Sequence, residues 1–228
     1  MTQALLLCAG RGERLRPLTD HRPKPLVKVA GDTLLGCHLA RLRSAGVTRV
    51  VINLGWLGEQ IIDHVGDGAR WGVEVIYSAE GYPTLDTGGA ILRAMHWLDD
   101  APFWVINADV WTDYALPGSP SDVLDDCEGA LGLVANPQYR DCGDFDLVRG
   151  RVINKANPGL TFSGIAAYRP AFFPERTVQR CSVVPWLRAA ADNDALAGFK
   201  IAQAWFDVGT PDRLETLAQY LEETGYAD

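Results

Sequence analysis

Short apolar runs alternate with amphipathic stretches through the first half of the chain, and that alternation predicts a fold. Ala4 to Cys8 is apolar throughout and too short for a helix, so it reads as a buried strand of a parallel sheet. Asp32-Thr33 opens a helical pattern, with Leu34, Leu35, Leu39 and Leu42 on one face and Gly46 placed to stop it. Val50 to Leu54 is a second buried strand, Gly58 to Val65 a second helix, and the β-branched alternation of Val73 to Tyr77 a third strand. Three strand–helix units in succession predict an α/β fold with a parallel, doubly wound sheet and right-handed crossovers. A turn-rich loop from Glu80 to Gly89 then feeds a helix over Ala90 to Leu98, and Phe103 to Asn107 is a further buried strand.

The second half reads differently. Pro117, Gly118, Ser119 and Pro120 mark a loop, followed by a short helix at Ser121 to Asp126. Ala130 to Ala135 resumes the sheet, Phe145 to Ile153 with Arg149-Gly150 at its middle has the pattern of a β-hairpin, and Thr161 to Tyr168 is another strand. Together they predict a small antiparallel lobe beside the parallel one, forming the far wall of a cleft. Val183 to Ala191 is helical and Phe199 to Phe206 alternates. Thr210 caps a last helix, with Pro211 at its first position.

At 228 residues with 47% hydrophobic content, a single domain with a full core is expected. Repeats, linkers and low-complexity segments are missing, and no apolar stretch approaches the length that spans a bilayer. The cysteines, Cys8, Cys37, Cys127, Cys142 and Cys181, are odd in number and widely spaced. Neither they nor His21, His38, His64 and His96 show metal-site spacing, so reduced thiols in a cytoplasm are the plain reading. Charge changes the picture in one place. The chain carries a net −8, yet between Arg11 and Lys28 lie Arg11, Arg14, Arg16, Arg22, Lys24 and Lys28 against only Glu13 and Asp20. A cationic island on an acidic surface suits a small polyanion better than a nucleic-acid backbone. The expected partners are therefore small molecules, with neither nucleic acid nor membrane, for a monomer or small homo-oligomer.

The island grows out of Cys8-Ala9-Gly10-Arg11-Gly12-Glu13-Arg14-Leu15-Arg16-Pro17. A P-loop needs a Gly-Lys-Ser/Thr ending that is absent here. The dinucleotide fingerprint needs a third glycine where Leu15 stands. What remains is Gly10-x-Gly12-x-Arg14-Leu15-x-Pro17-Leu18-Thr19, then Pro23-Lys24-Pro25-Leu26-Val27. This compound pattern resembles the signature loop of the sugar-1-phosphate nucleotidyltransferases. Trp205-x-Asp207-x-Gly209-Thr210-Pro211 resembles a second signature of that family, and the resemblance covers essentially the whole chain.

The resemblance implies a Rossmann-like doubly wound, mostly parallel sheet with a small antiparallel sugar-binding lobe, the nucleotide-diphospho-sugar transferase fold. It divides the single domain into a nucleotide-binding part (about 1–114), a sugar-binding part (about 115–204) and a last piece, 205–228, with the second metal ligand and the C-terminal helix. By position alone, Asp109 after its apolar strand is either a solvated turn residue or a metal ligand. An aspartate before a helix, like Asp207, is usually a cap, but Thr210 already fills that role. Thr87 could simply cap its helix, or Thr87-Gly88-Gly89 could offer free amides to a ligand. The resemblance decides these. It makes Asp109 and Asp207 the ligands of Mg²⁺, and assigns the nucleotide to Ala9, Gly10, Gly12, Glu13, Arg14, Glu80, Thr87, Gly88 and Asn107. Lys24, Gly143, Asp144 and Asn157 would hold the sugar phosphate, with Arg14 and Lys24 catalytic. Two departures stand out: Ala108-Asp109 replaces the family's Gly-Asp, and Lys155-Ala156-Asn157-Pro158 stands where Glu-Lys-Pro is usual.

The implied reaction joins a nucleoside triphosphate and a sugar 1-phosphate into a nucleoside-diphosphate-sugar and pyrophosphate. Two anions must meet, and at ~4 Å without water their repulsion is worth several kcal/mol, so cations must fill the gap. The acceptor phosphate is ionised near neutral pH and needs no general base. Ile52 to Gly58 and Asn107 to Tyr114 look most like the branch that uridylylates N-acetylmuramate 1-phosphate in bacterial peptidoglycan recycling, which would make UTP the donor. The alternatives are a glucose- or mannose-1-phosphate nucleotidyltransferase and a non-catalytic nucleotide-sugar sensor. A sensor should have lost a charge from the set Arg14, Lys24, Asp109 and Asp207, and all four are present.

Overall fold

The computed structural model describes residues 1–225 apart from 30, 82, 156, 175 and 176. The first apolar run forms strand β1 (Thr2–Leu7), whose side chains divide between two cores. Ala4 and Leu6 enter one and Leu5 the other, all with no exposed surface. A strand needs apolar residues at successive positions only when both of its faces are covered.

Beyond the glycine loop, two short strands, β2 (Lys28–Val29) and β3 (Asp32–Thr33), pair antiparallel. Helix α1 (Leu34–Ser44) starts at Thr33, whose Oγ1 accepts from the Gly36 amide at 3.0 Å. Strand β4 (Val47–Leu54) follows and pairs parallel with β1. Helix α2 (Gly58–Val65) and strand β5 (Glu74–Ala79) repeat the unit, with β5 parallel to β4. Helix α3 (Asp86–Ala94) leads to β6 (Phe103–Asn107), parallel to β1 on its other side. Leu35, Leu39 and Leu42 of α1 and Ile61 and Val65 of α2 fill the first core, whereas Ile91, Leu92 and Ala94 of α3 fill the second. The sheet is thus covered from both sides, as a doubly wound order requires.

The rest comprises β7 (Val110–Thr112), the one-turn α4 (Ser121–Leu124), β8 (Gly129–Ala135), β9 (Asp146–Val148), β10 (Arg151–Ile153) and β11 (Leu160–Tyr168). Then come α5 (Val184–Asp192), β12 (Leu196–Lys200), β13 (Trp205–Asp207) and α6 (Pro211–Thr224). Strands β9 and β10 form the expected hairpin, with Arg149 at φ 50° and Gly150 at φ 80° in a tight two-residue turn. The antiparallel strands extend the parallel sheet through β11, which pairs antiparallel with both β6 and β8. The result is one nine-stranded sheet, ordered β5-β4-β1-β6-β11-β8-β12-β10-β9.

Two expected elements are redrawn. Helix α3 starts at Asp86 rather than Ala90 and ends at Ala94, so Thr87-Gly88-Gly89 is its first turn. The cause lies far along the chain: the Gly88 and Gly89 amides donate to the Cys181 carbonyl at 2.8 and 3.1 Å, which satisfies an otherwise orphaned helix start. The alternating stretch from Phe199 to Phe206 is two strands. After β12 ends, β13 leaves the main sheet and pairs antiparallel with β7. That turn is useful. Helix α6, capped by the Thr210 hydroxyl as expected, packs Leu217 and Leu221 with Val27, Val29, Leu34, Trp111 and Val208. The C-terminal signature is thereby clamped beside the loop that follows β1.

Candidate active site

The glycine loop uses its two glycines for different ends. Gly12 is left-handed at φ 68°, its carbonyl accepts from Thr19 Oγ1 at 2.8 Å, and a Cβ there would lie 3.1 Å from Lys24 Cβ. The fold itself demands glycine at that point. Gly10 has no such reason: a Cβ there would meet no protein atom within 4 Å, and the residue lines an open cavity. The space is left for something other than the protein.

The cationic island is sorted by partner. Arg11 lies over the Trp56 ring at 4.5 Å, and Arg16 pairs with Asp20 at 2.7 Å. Lys24 sits on a single 3₁₀ turn (Lys24–Leu26), is only 7% exposed, and donates from Nζ to Asp109 Oδ2 at 2.6 Å. A buried ammonium without such a partner would be costly. Arg14 remains exposed, with Nη2 close to Gly209.

The two expected metal ligands are brought together by backbone pairing. Asp207 stands opposite Val110 in the β7–β13 ladder, and the Val208 amide donates to the Asp109 carbonyl at 2.9 Å. Both side chains line one cavity of about 130 Å³, together with Arg14 and Asn107. Asp207 Oδ2 accepts from Arg213 Nη1 at 2.5 Å, while its Oδ1 is buried without a hydrogen-bond partner. Paired carboxylates around a small space, one with an orphaned oxygen, suit a hard cation that prefers oxygen ligands. Among the described residues no group of three or more His, Cys, Asp or Glu converges. A cation here would therefore draw further oxygens from phosphates and water.

A neighbouring cavity of about 300 Å³ shares Asn107 and Asp109 and adds Ala9, Gly10, Glu80 and Thr87. Glu80 is a brace: Oε1 accepts from Asn53 Nδ2 at 2.7 Å and Oε2 from the Leu85 amide at 2.9 Å. Asn53 in turn accepts from the Cys8 amide at 2.5 Å, so the loops after β1 and β5 are tied together through the end of β4. The sequence reading missed Asn53 as a site residue, although a polar amide inside an apolar strand was its signal. Burial first, and then Asp109, push the Cys8 thiol up, which makes it a poor nucleophile.

Other expectations fare differently. The free amides foreseen at Thr87-Gly88-Gly89 are corrected, since Gly88 and Gly89 serve Cys181, and Thr87 Oγ1 accepts from the Val183 amide at 3.1 Å. Gly12, Glu13, Lys24 and Gly88 line neither cavity; Lys24 reaches the site from beneath, through Asp109. Nor do Gly143, Asp144 and Asn157 line either one. The Gly143 amide donates to the Pro158 carbonyl at 2.9 Å, and Asn157 is exposed. Asp144 accepts from Arg140 Nη2 at 2.7 Å and Nη1 at 3.1 Å. Its work is to orient Arg140, which with Tyr139, Thr161 and Gly164 forms the cavity wall on that side. No pattern in the sequence marked Tyr139 or Arg140.

A family model described as nucleotidyl transferase matches residues 3–128. The chain belongs to the nucleotidyl transferase family. It is 42% identical to the N-acetylmuramate alpha-1-phosphate uridylyltransferase of Neisseria meningitidis serogroup B, over 93% of this chain and 95% of that one. The protein of the same name from Caulobacter vibrioides is 30% identical, over 91% and 92% of the two chains. Among solved structures, a putative glucose-1-phosphate thymidylyltransferase from Bacillus anthracis shares the fold with a TM-score of 0.85 at 16% identity, covering 96% and 95% of the chains. A UDP-glucose pyrophosphorylase does so with 0.79 at 17% identity, covering 98% and 99%.

Proposed function

We propose that the protein transfers a uridylyl group from UTP to N-acetylmuramate 1-phosphate, giving UDP-N-acetylmuramate and pyrophosphate. One observation carries the chemistry: Asp109 and Asp207 share a cavity, each beside a resident cation, and Asp109 also lines the neighbouring cavity edged by Ala9 and Gly10 of the glycine loop. Two near-complete relatives with this activity in their names support the donor and the sugar.

The roles follow from placement. The bare Gly10 edge and Ala9 admit the nucleotide, with Asn107 at the junction of the two cavities. Arg14 neutralises the pyrophosphate as it leaves. Lys24 holds the sugar phosphate in line with the α-phosphorus, and its phosphate oxygen forms the new P–O bond as the bond to the β-phosphate breaks. The residues fit Mg²⁺ at Asp109 and Asp207, where it would supply charge neutralisation between the two anions. Of the residues expected to hold the sugar phosphate, Asp144 supports the sugar side at one remove, by aiming Arg140.

The sensor alternative is disfavoured, since all four charged residues are present and Arg14, Asp109 and Asp207 line one cavity with Lys24 bonded to Asp109. No helix among the described residues is long and apolar enough to cross a membrane, and the five cysteines are free. Mass spectrometry of a reaction of UTP, N-acetylmuramate 1-phosphate and Mg²⁺ tests the proposal. UDP-N-acetylmuramate and pyrophosphate should appear in equal amounts, and a mixture left unchanged would contradict it.

A further inference from the structure

Beside the cavity between Asp109 and Asp207 lies a larger one of about 660 Å³, which shares Tyr139, Trp205 and Asp207 with it. Much of its wall is apolar, including Val134, Ile201 and Phe206. Two cations, Lys200 and Arg213, line it against one acid, Asp207. On a chain of net −8 this reverses the local charge.

The two cations are mounted differently. Lys200 is exposed at the end of β12. Arg213 is half-buried in the first turn of α6, where Nε donates to Thr210 Oγ1 at 3.3 Å and Nη1 to Asp207 at 2.5 Å. Its guanidinium lies over the Tyr139 ring at 4.4 Å. A guanidinium carries five N–H donors; the bonds to Thr210 and Asp207 and a further one to Tyr139 leave others, so a fixed planar fork has donors to offer the cavity.

We propose that Arg213 is a specificity-determining residue that recognises a carboxylate on the sugar, and so selects an acidic sugar 1-phosphate over its neutral counterpart. The inference rests on the function proposed above. N-acetylmuramate differs from N-acetylglucosamine by an ether-linked lactyl group, which carries a methyl and ends in a carboxylate. With the phosphate held at Lys24, the sugar occupies the small cavity and its acidic arm passes Tyr139 into the larger one. The apolar wall takes the methyl and Arg213 pairs with the carboxylate. A site built around such a pair rejects the analogue that lacks it, because the cation then finds no substrate partner.

The test compares N-acetylmuramate 1-phosphate with N-acetylglucosamine 1-phosphate, by kcat/KM with UTP and by calorimetric affinity for each sugar phosphate. The unmodified enzyme should favour the acidic sugar by about 30-fold or more in both readouts. R213Q should erase most of that preference with UTP affinity kept, and R213K should restore part of it. Equal losses for both sugars in R213Q would overturn the inference and leave Arg213 only a positioning residue for Asp207. An unmodified enzyme that binds both sugars alike would overturn it without any variant. Uridylyl transfer to neither sugar would overturn the underlying function, and this inference with it.

Discussion

The Lys24 ammonium lies 2.6 Å from the carboxylate of Asp109, a residue 85 positions further along the chain. The lysine is buried and the aspartate half-buried, so each holds the other's charge in a place that water reaches poorly. A substrate phosphate and a cation would divide this pair between them. Lys24→Met should therefore lower turnover by ~30- to 1000-fold while UTP affinity is kept and less Mg²⁺ is needed to reach it. Arg14→Ala should weaken UTP binding and turnover together. Titration calorimetry on both variants decides the matter, and an equal loss of UTP affinity would show that the two cations do not have separate duties.

Asp207 makes the metal reading testable. Its Oδ1 is buried and unpartnered while Oδ2 is held by Arg213, so one oxygen is available to a cation without breaking the existing bond. Asp207→Asn should remove most turnover while leaving the melting temperature within a few degrees. Asp109→Asn should remove most turnover and also lower the melting temperature, because it leaves the buried Lys24 ammonium without its carboxylate. Excess EDTA should abolish activity, and Mg²⁺ or Mn²⁺ should restore it. Full activity in EDTA would sink this assignment.

The first turn of α3 carries a different expectation from the one its sequence suggests. A Cβ at Gly88 would lie 2.9 Å from the Cys181 carbonyl oxygen and 3.0 Å from Ser182, so Gly88→Val must push the segment around Cys181 away. Arg180 and Thr87 line the cavity beside that contact. The variant should lose ~1–3 kcal/mol of stability, as overpacked sites do, and raise the KM for UTP in the same protein. A stability loss with KM unchanged would mean that the 181 segment does not shape the nucleotide side.

Much of this was legible in the chain. The run Ala4 to Cys8 is apolar at every position because β1 is covered on both faces, and the Arg149-Gly150 pair specified its turn through backbone geometry alone. Lys24, Asp109 and Asp207 were named from motif, and the fold places them together. What stayed hidden depends on distant partners. The start of α3 is set by Cys181, and the aim of Arg140 by Asp144 in a loop with no periodicity. No pattern in the chain marked Arg213, since only the turn of β13 toward β7 brings it against Tyr139.

His38 on α1 gives the protein a predictable sensitivity to acid. Burial, and then the nearby Arg41, lower its pKa to about 3. The unfolded chain takes up that proton near pH 6.5, so below this pH it binds more protons than the folded state. Stability is full above about pH 6.5 and falls as the pH drops toward 3, by up to ~1.4 kcal/mol per unit from this residue. Urea midpoints at pH 7.5 and pH 5 should differ less in His38→Leu than in the unmodified protein, and an equal difference in the two would contradict the assignment.

The most direct test of the account is a pyrophosphate-release screen of the purified protein over four nucleoside triphosphates and a panel of sugar 1-phosphates. The arrangement of Arg14, Asp109 and Asp207 about one cavity, with Lys24 bonded to Asp109, predicts release that needs both substrates and Mg²⁺. The highest kcat/KM should fall to UTP with N-acetylmuramate 1-phosphate. A preference for GTP or ATP by an order of magnitude would contradict the uridylyl assignment, and no release from any pair would contradict the reaction itself.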